Sequence, residues 1–166
     1  MGDVLYAGRW ETPVGALTAL VDGGGALVRL LFARETAPAG VVWDEARCAD
    51  ARAQLDAYFR GERRDFDLAL APRGTAFQRR VWDVLLGLPY GAVIDYRALA
   101  EAAGAPAAIR AAGRANATNP IPIIIPCHRV VGSDGRLTGY GGGLDAKAFL
   151  LRLEGARVEN GRARRE

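Results

Sequence analysis

Residues 120–131 read Pro-Ile-Pro-Ile-Ile-Ile-Pro-Cys-His-Arg-Val-Val, an apolar run broken by three prolines that ends in a cysteine, a histidine and an arginine. Its β-branched residues favour a strand, but each proline lacks the N–H that a ladder needs, so the run cannot be a regular central strand. It is too short and too interrupted to cross a bilayer. It must therefore be buried in protein, with its backbone held by tertiary contacts. The 166 residues, half hydrophobic and a quarter charged, suffice for one or two small domains with real cores around it. Two cysteines, Cys48 and Cys127, cannot build a disulfide framework, and no charged leader precedes a long apolar run. A cytoplasmic protein with reduced thiols and no membrane association is expected. With one histidine, His128, a tetrahedral zinc site is at least one ligand short unless a carboxylate joins, so no metal is expected.

Charge divides the chain unevenly. Residues 1–71 carry eight basic and eleven acidic side chains and residues 72–166 fourteen and eight, so the second half is electropositive, as a polyanion-binding domain would be. Arg157, Arg162, Arg164 and Arg165 inflate that excess. They fall in 156–166, which is expected to be a basic, mobile tail. Twenty-one arginines stand against one lysine, Lys147, a skew that coding bias explains as well as function does.

In the first half, Leu17 to Val21 and Ala26 to Phe32 read as strands joined by Asp22-Gly23-Gly24-Gly25, a hairpin turn. Asp44 is placed to cap a helix running to Arg60, with Leu55, Tyr58 and Phe59 inward and Gly61 as its stop; Phe66, Leu68 and Leu70 alternate as a following strand. Cys48 lies among alanines on that helix as a small buried thiol. The 1–71 domain is thus mixed α and β.

The second domain, 72–155, opens with Thr75-x-x-Gln78, a capping box, and an apolar face of Phe77, Val81, Val84, Leu85 and Leu88. Asp95 caps a second helix stopped by Gly104, and a third runs from about Pro106 to Ala117, a helix-turn-helix pattern. Arg110 and Arg114, four apart, share a face whose neighbours Ala107, Ala111 and Gly113 are small enough for close approach to another surface. A solvated arginine face packed on alanine fits the same residues.

Chemistry concentrates at Cys127-His128. Burial raises a thiol's pKa, so reactivity needs a group that favours the thiolate, and the only histidine is adjacent. On an extended segment neighbouring side chains point oppositely, so His128 would act through a water or a local bend. Adjacency alone serves an ordinary buried thiol equally.

Pro126-Cys127-His128-Arg129-Val130, preceded by Asn119-Pro120 and followed by Gly139-Tyr140-Gly141-Gly142-Gly143-Leu144 and Leu150-Leu151-Arg152-Leu153-Glu154-Gly155, closely resembles the O6-alkylguanine-DNA alkyltransferases, the methylated-DNA-protein-cysteine methyltransferases. The likeness is strong from Thr75 to Gly155. It implies an α+β protein: a small mixed ribonuclease H-like domain, then a mainly helical, winged helix-turn-helix-like alkyltransferase domain. It also implies a single-turnover DNA-repair enzyme that moves the alkyl group of O6-alkylguanine, with O4-alkylthymine a second candidate substrate, onto its own cysteine. No cofactor is implied.

By that resemblance Cys127 is the acceptor, His128 activates it through a water, and Glu154 orients the imidazole. Tyr96 donates a proton to the departing guanine, and Asn119 holds the active-site segment. Val130, Tyr140 and Gly141 line the base and alkyl pocket. Arg110 fills the stack vacated by a flipped nucleotide, while Arg114, Ala107, Ala111 and Gly113 meet the minor groove of double-stranded DNA. Asp95 stands where Ser or Thr is expected, and Gly141 where relatives carry Ser. A monomer acting at the nucleoid is expected. The alternatives are a noncatalytic alkyl-lesion binder and a helix-turn-helix regulator.

Overall fold

A computed structural model describes residues 3–164, which divide into two compact units, the first ending at Arg73 and the second beginning at Gly74. The first is built on a four-stranded sheet with order β3-β2-β1-β4, from β1 (Tyr6–Thr12), β2 (Gly15–Val21), β3 (Leu27–Leu31) and β4 (Val42–Trp43). The expected hairpin is β2–β3. In its turn the Asp22 carboxylate accepts from the Gly24 and Ala26 amides at 3.0 and 2.9 Å, and Gly25 takes φ +89°. β1 pairs antiparallel with β2 and parallel with β4. Its Tyr-Ala-Gly-Arg-Trp-Glu-Thr sequence has too little alternation to announce a strand.

Two expectations in this unit fail. Asp44 does not cap a long helix, because its side chain pairs with Arg47 at 3.4 Å. A 3₁₀ turn, Glu45–Cys48, comes first, and α1 (Ala49–Phe59) begins after it with Leu55, Tyr58 and Phe59 buried as the pattern requires. Residues 66–70 do not form a strand beyond a single bridge from Leu70 to Leu27. The Gln54 side chain occupies the groups a ladder would use: it accepts from the Asp67 amide at 2.8 Å and donates to the Asp67 carbonyl at 2.9 Å.

The second unit opens with α2 (Ala76–Leu86), whose capping box is complete: the Thr75 amide donates to Gln78 and the Gln78 amide to Thr75. Buried Trp82 donates its indole N–H to the Ala115 carbonyl at 2.8 Å, tying α2 to the helix α4 (Ile109–Ala117). β5 (Ile94–Asp95) leads into α3 (Tyr96–Ala102), capped by the Asp95 carboxylate on the Ala98 amide at 2.8 Å. The third helix starts at Ile109 rather than Pro106. Residues 105–108 instead close a turn, Ala108 amide to Ala105 carbonyl, with Pro106 at the position where its fixed φ suits a turn. Ala107 therefore precedes the helix.

A 3₁₀ turn at Cys127–Arg129 feeds β6 (Val130–Val131), parallel to β5, and α5 (Leu144–Leu153) follows. The segment expected to be a free tail is a hairpin, β7 (Arg157–Glu159) with β8 (Arg162–Arg164). Val158 and Ala163 pack with Val131, Leu137, Leu151 and Ala156, so alternation places the arginines outward and two apolar residues in the core. Arg165 lies outside the described residues. No described helix is long and apolar enough to cross a membrane.

The hairpin's contribution can be measured. Val158→Ala removes two buried methyl groups and should cost about 1–2 kcal/mol, read from the urea unfolding midpoint. A free tail would show no change.

Candidate active site

Residues 121–131 are buried throughout. Their backbone is folded by very local turns rather than by a ladder. The Ile124 amide donates to the Pro122 carbonyl across Ile123, which sits at φ +73°, and the Cys127 amide donates to the Ile125 carbonyl at 2.7 Å across Pro126 at φ −80°, ψ 65°. These are γ-turns of the two hands, and the positive-φ one is the strained form, rarer still on a β-branched residue. Side chains hold the fold in place. Asn119 accepts from the Ile121 amide at 3.0 Å and donates to the Ile125 carbonyl at 2.7 Å, and Asn116, on α4, donates to the Cys127 carbonyl at 3.4 Å.

The 3₁₀ turn supplies the local bend that an extended segment would lack. His128 Nε2 lies 2.7 Å from Glu154 Oε2, and Glu154 forms the C-terminal cap of α5. A carboxylate there opposes the helix dipole and needs compensation. It receives it from Arg129, whose Nε donates to Oε1 at 2.7 Å and Nη2 to Oε2 at 3.0 Å, and from the Gly91 amide at 3.3 Å. The remaining guanidinium nitrogen, Nη1, donates to the Leu88 carbonyl at 2.6 Å.

Titration follows from this packing. Burial alone would raise the Glu154 carboxyl, but the hydrogen bond from His128 and then the bonds and charge of Arg129 hold it well below the usual carboxylate range. Burial, with Arg129 and Lys147 adding to it, pushes the imidazole of His128 down against the pull of Glu154. The ring is therefore neutral at neutral pH. With an ionised carboxylate accepting at Nε2, the proton sits on that nitrogen and Nδ1 carries the lone pair. Nδ1 is buried with no hydrogen-bond partner among the described residues. Burial pushes the Cys127 thiol up to about 11, opposed by a hydrogen bond from Asn119 and by the charge of Lys147. Lys147 is itself fully buried on α5, where its ammonium donates to the Thr138 carbonyl at 3.1 Å; burial brings it down to about 8.

The structure gathers Cys127, His128, Glu154 and Asn119, and places Tyr96 at the start of α3 with its hydroxyl bonded to that of Thr138. Val130 is buried in β6, Tyr140 is half-buried, and Gly141 is exposed ahead of Gly143, whose φ of +93° starts α5. Arg110 and Arg114 are both exposed on α4. Gly113 departs from the outer face expected of it: a Cβ there would lie 3.6 Å from the Tyr96 ring, an ordinary contact, so the position faces the tyrosine. Sequence reasoning passed over Arg129, Lys147, Asn116 and Thr138. Arg129 had a signal, since a charge inside so apolar a run must find a buried partner. So did Lys147, the single lysine in a chain that otherwise uses arginine. No cluster of His, Cys, Asp and Glu among the described residues could hold a metal ion.

Two family models match: the ribonuclease-like domain of 6-O-methylguanine DNA methyltransferase over residues 5–72 and its DNA binding domain over 76–156. The chain is 48% identical over 151 residues to a methylated-DNA–protein-cysteine methyltransferase of Mycobacterium tuberculosis, covering 89% of this chain and 91% of that one. It is also 48% identical over 154 residues to one of Methanosarcina barkeri, at 90% and 97% coverage. Among solved structures, the M. tuberculosis OGT in complex with DNA superposes with a TM-score of 0.85 at 46% identity, over 90% of this chain and 92% of that one.

The Glu154 cluster links folding to pH. In the unfolded chain this carboxyl takes its ordinary value of 4.5, so as pH falls the unfolded state binds the proton first. Its contribution should be complete well above that value and shrink as pH falls through it. Urea unfolding from pH 7 down to pH 3 should show this loss. Glu154→Gln, which leaves Arg129 buried without its counter-ion, should cost about 3–5 kcal/mol at pH 7 and flatten the dependence below pH 4.5. An unchanged slope would separate Glu154 from the acid sensitivity.

Proposed function

The chain belongs to the 6-O-methylguanine DNA methyltransferase family and is a DNA-repair methyltransferase, and we propose that it moves the alkyl group of O6-alkylguanine in double-stranded DNA irreversibly onto its own Cys127. The observation that carries this is the buried histidine next in sequence to the thiol: its Nε2 lies 2.7 Å from Glu154 Oε2, and its Nδ1 is buried with no hydrogen-bond partner among the described residues. A thiol raised to about 11 needs such an acceptor.

In the reading proposed, His128 Nδ1 takes the thiol proton through a water, and Glu154 stabilises the imidazolium that forms. The sulfur attacks the alkyl carbon, the carbon–O6 bond breaks, and the guanine accepts the Tyr96 hydroxyl proton at its N3 edge. Lys147 supplies positive charge toward the developing thiolate. The thioether product has no good leaving group, so one protein molecule repairs one lesion. Val130, Tyr140 and Gly141 wall the pocket. The base reaches it only if rotated out of the duplex, and in this reading Arg110, exposed on α4, fills the gap. Arg114, Ala107 and Ala111 flank it on the DNA-facing surface, with Gly113 behind them against Tyr96. All of these parts come from one chain, which supports action as a monomer, and a duplex DNA substrate supports action at the nucleoid. A protein that only bound lesions would have no use for a proton acceptor beside the thiol.

Incubation with a duplex containing O6-methylguanine should add one methyl mass per chain, mapped to Cys127. Cys127→Ser should add none yet still bind the duplex, and Cys48→Ala should react normally. His128→Ala should slow single-turnover transfer by about 10²-fold. A mark on Cys48 would overturn the assignment.

Arg110→Ala should slow repair of the duplex much more than reaction with free O6-benzylguanine, because unstacking costs on the order of a few kcal/mol only in the duplex. Equal losses on both substrates would remove Arg110 from the flipping role.

A further inference from the structure

Thr138 makes two contacts with the site from one position. Its carbonyl accepts from the buried Lys147 ammonium at 3.1 Å, and its hydroxyl is bonded to the Tyr96 hydroxyl. The residue before it is anchored: Leu137 is buried in the apolar cluster and its amide donates to the Gly161 carbonyl at 2.8 Å. On the opposite side, Gly113 leaves ordinary contact distance to the Tyr96 ring. The tyrosine ring is thus seated between α4 and the loop that carries Thr138, and its oxygen is in the reach of one threonine hydroxyl.

A threonine hydroxyl has one proton to give and lone pairs to receive, and so has a phenol. If the phenol donated to Thr138, its proton would be turned away from the base. With Thr138 donating, the phenolic oxygen accepts, its own proton is free to point into the pocket, and the negative charge left after that proton departs is met by a hydrogen bond already in place. Only the second arrangement serves a proton donor. We propose that Thr138 is a positioning residue for alkyl transfer, its hydroxyl donating to the Tyr96 oxygen so that the Tyr96 proton faces the departing guanine and the resulting phenolate is stabilised. The proton moves from Tyr96 oxygen to guanine N3 while the Thr138 proton stays on its own oxygen. The same residue's carbonyl, held by Lys147, keeps the loop at the distance this bond requires. The inference rests on Tyr96 being the proton donor.

The test separates proton donation from thiol reactivity. Thr138→Val keeps size but removes the hydroxyl, and Thr138→Ser restores it. With an O6-methylguanine duplex, Thr138→Val should slow single-turnover transfer about five- to tenfold, the scale of one neutral hydrogen bond, and Thr138→Ser should recover to within about twofold of the parent. Alkylation of Cys127 by iodoacetamide, which needs a thiolate but no protonated base, should stay within about twofold in both. In a Tyr96→Phe background, Thr138→Val should add less than about twofold, because the two residues act as one unit. A full further loss in that background, no recovery in Thr138→Ser, or a parallel fall in iodoacetamide reactivity would each overturn the positioning role while leaving Tyr96 as donor. Tyr96→Phe reacting at the parent rate would instead remove the donor role, and the inference with it.

Discussion

The packing around the Cys127 thiol depends on one buried carboxylate. Glu154 ends α5 with its charge against the helix dipole and away from water, an arrangement that is unfavourable unless both oxygens are fully engaged. His128, Arg129 and Gly91 engage them, and Arg129 in turn reaches the Leu88 carbonyl beyond α2. The cluster therefore joins the end of α5, the turn after α2 and the 3₁₀ turn of the active segment. It also sets the imidazole's tautomer, because an acceptor at Nε2 leaves the lone pair at Nδ1. Structure and proton chemistry share the same bonds here, so neither can be altered alone.

That carboxylate could not do this if the active segment were a strand. In a strand Cys127 and His128 would face opposite ways. Prolines 120, 122 and 126 prevent a ladder, γ-turns take up the freed backbone groups, and Asn116 and Asn119 pin the carbonyls of Cys127 and Ile125. The positive φ at Ile123 is a local strain that persists because its neighbours are buried and bonded on both sides. The result is a turn that holds the thiol with its electrostatic partners already placed, and in the proposed reaction these need no reorganisation.

The polar groups inside the second unit divide the work by charge. In the proposed reaction the neutral histidine accepts the thiol proton, and the lysine, lowered to about 8, supplies positive charge near the sulfur. The loop carrying Thr138 spans from the lysine to the tyrosine. Burial raises the energy of each ionised state, and specific neighbours offset it at Glu154 and Cys127, so the titration of the site is tied to the integrity of its packing.

Much of this was legible locally. The Asp22–Gly25 hairpin, the Thr75–Gln78 box, the Asp95 cap and the burial of residues 121–131 each depend on residues a few positions apart, so the order of the chain carries them directly. The linked motifs from Asn119 to Glu154 also named the family. Where the reading went astray, a distant group had intervened. Gln54 took the backbone groups of Asp67 and prevented a strand, and the apolar cluster under Leu137 and Leu151 turned an apparent tail into a hairpin. Arg129 and Lys147 each carried a signal, a charge in an apolar run and a lone lysine, but the sequence did not name the groups they would face. Local chemistry thus determined which residues could react and which turns they lie on. Which charges face them was decided only by tertiary structure, because electrostatic and hydrogen-bond partners are set by proximity in space, and sequence separation carries no record of that.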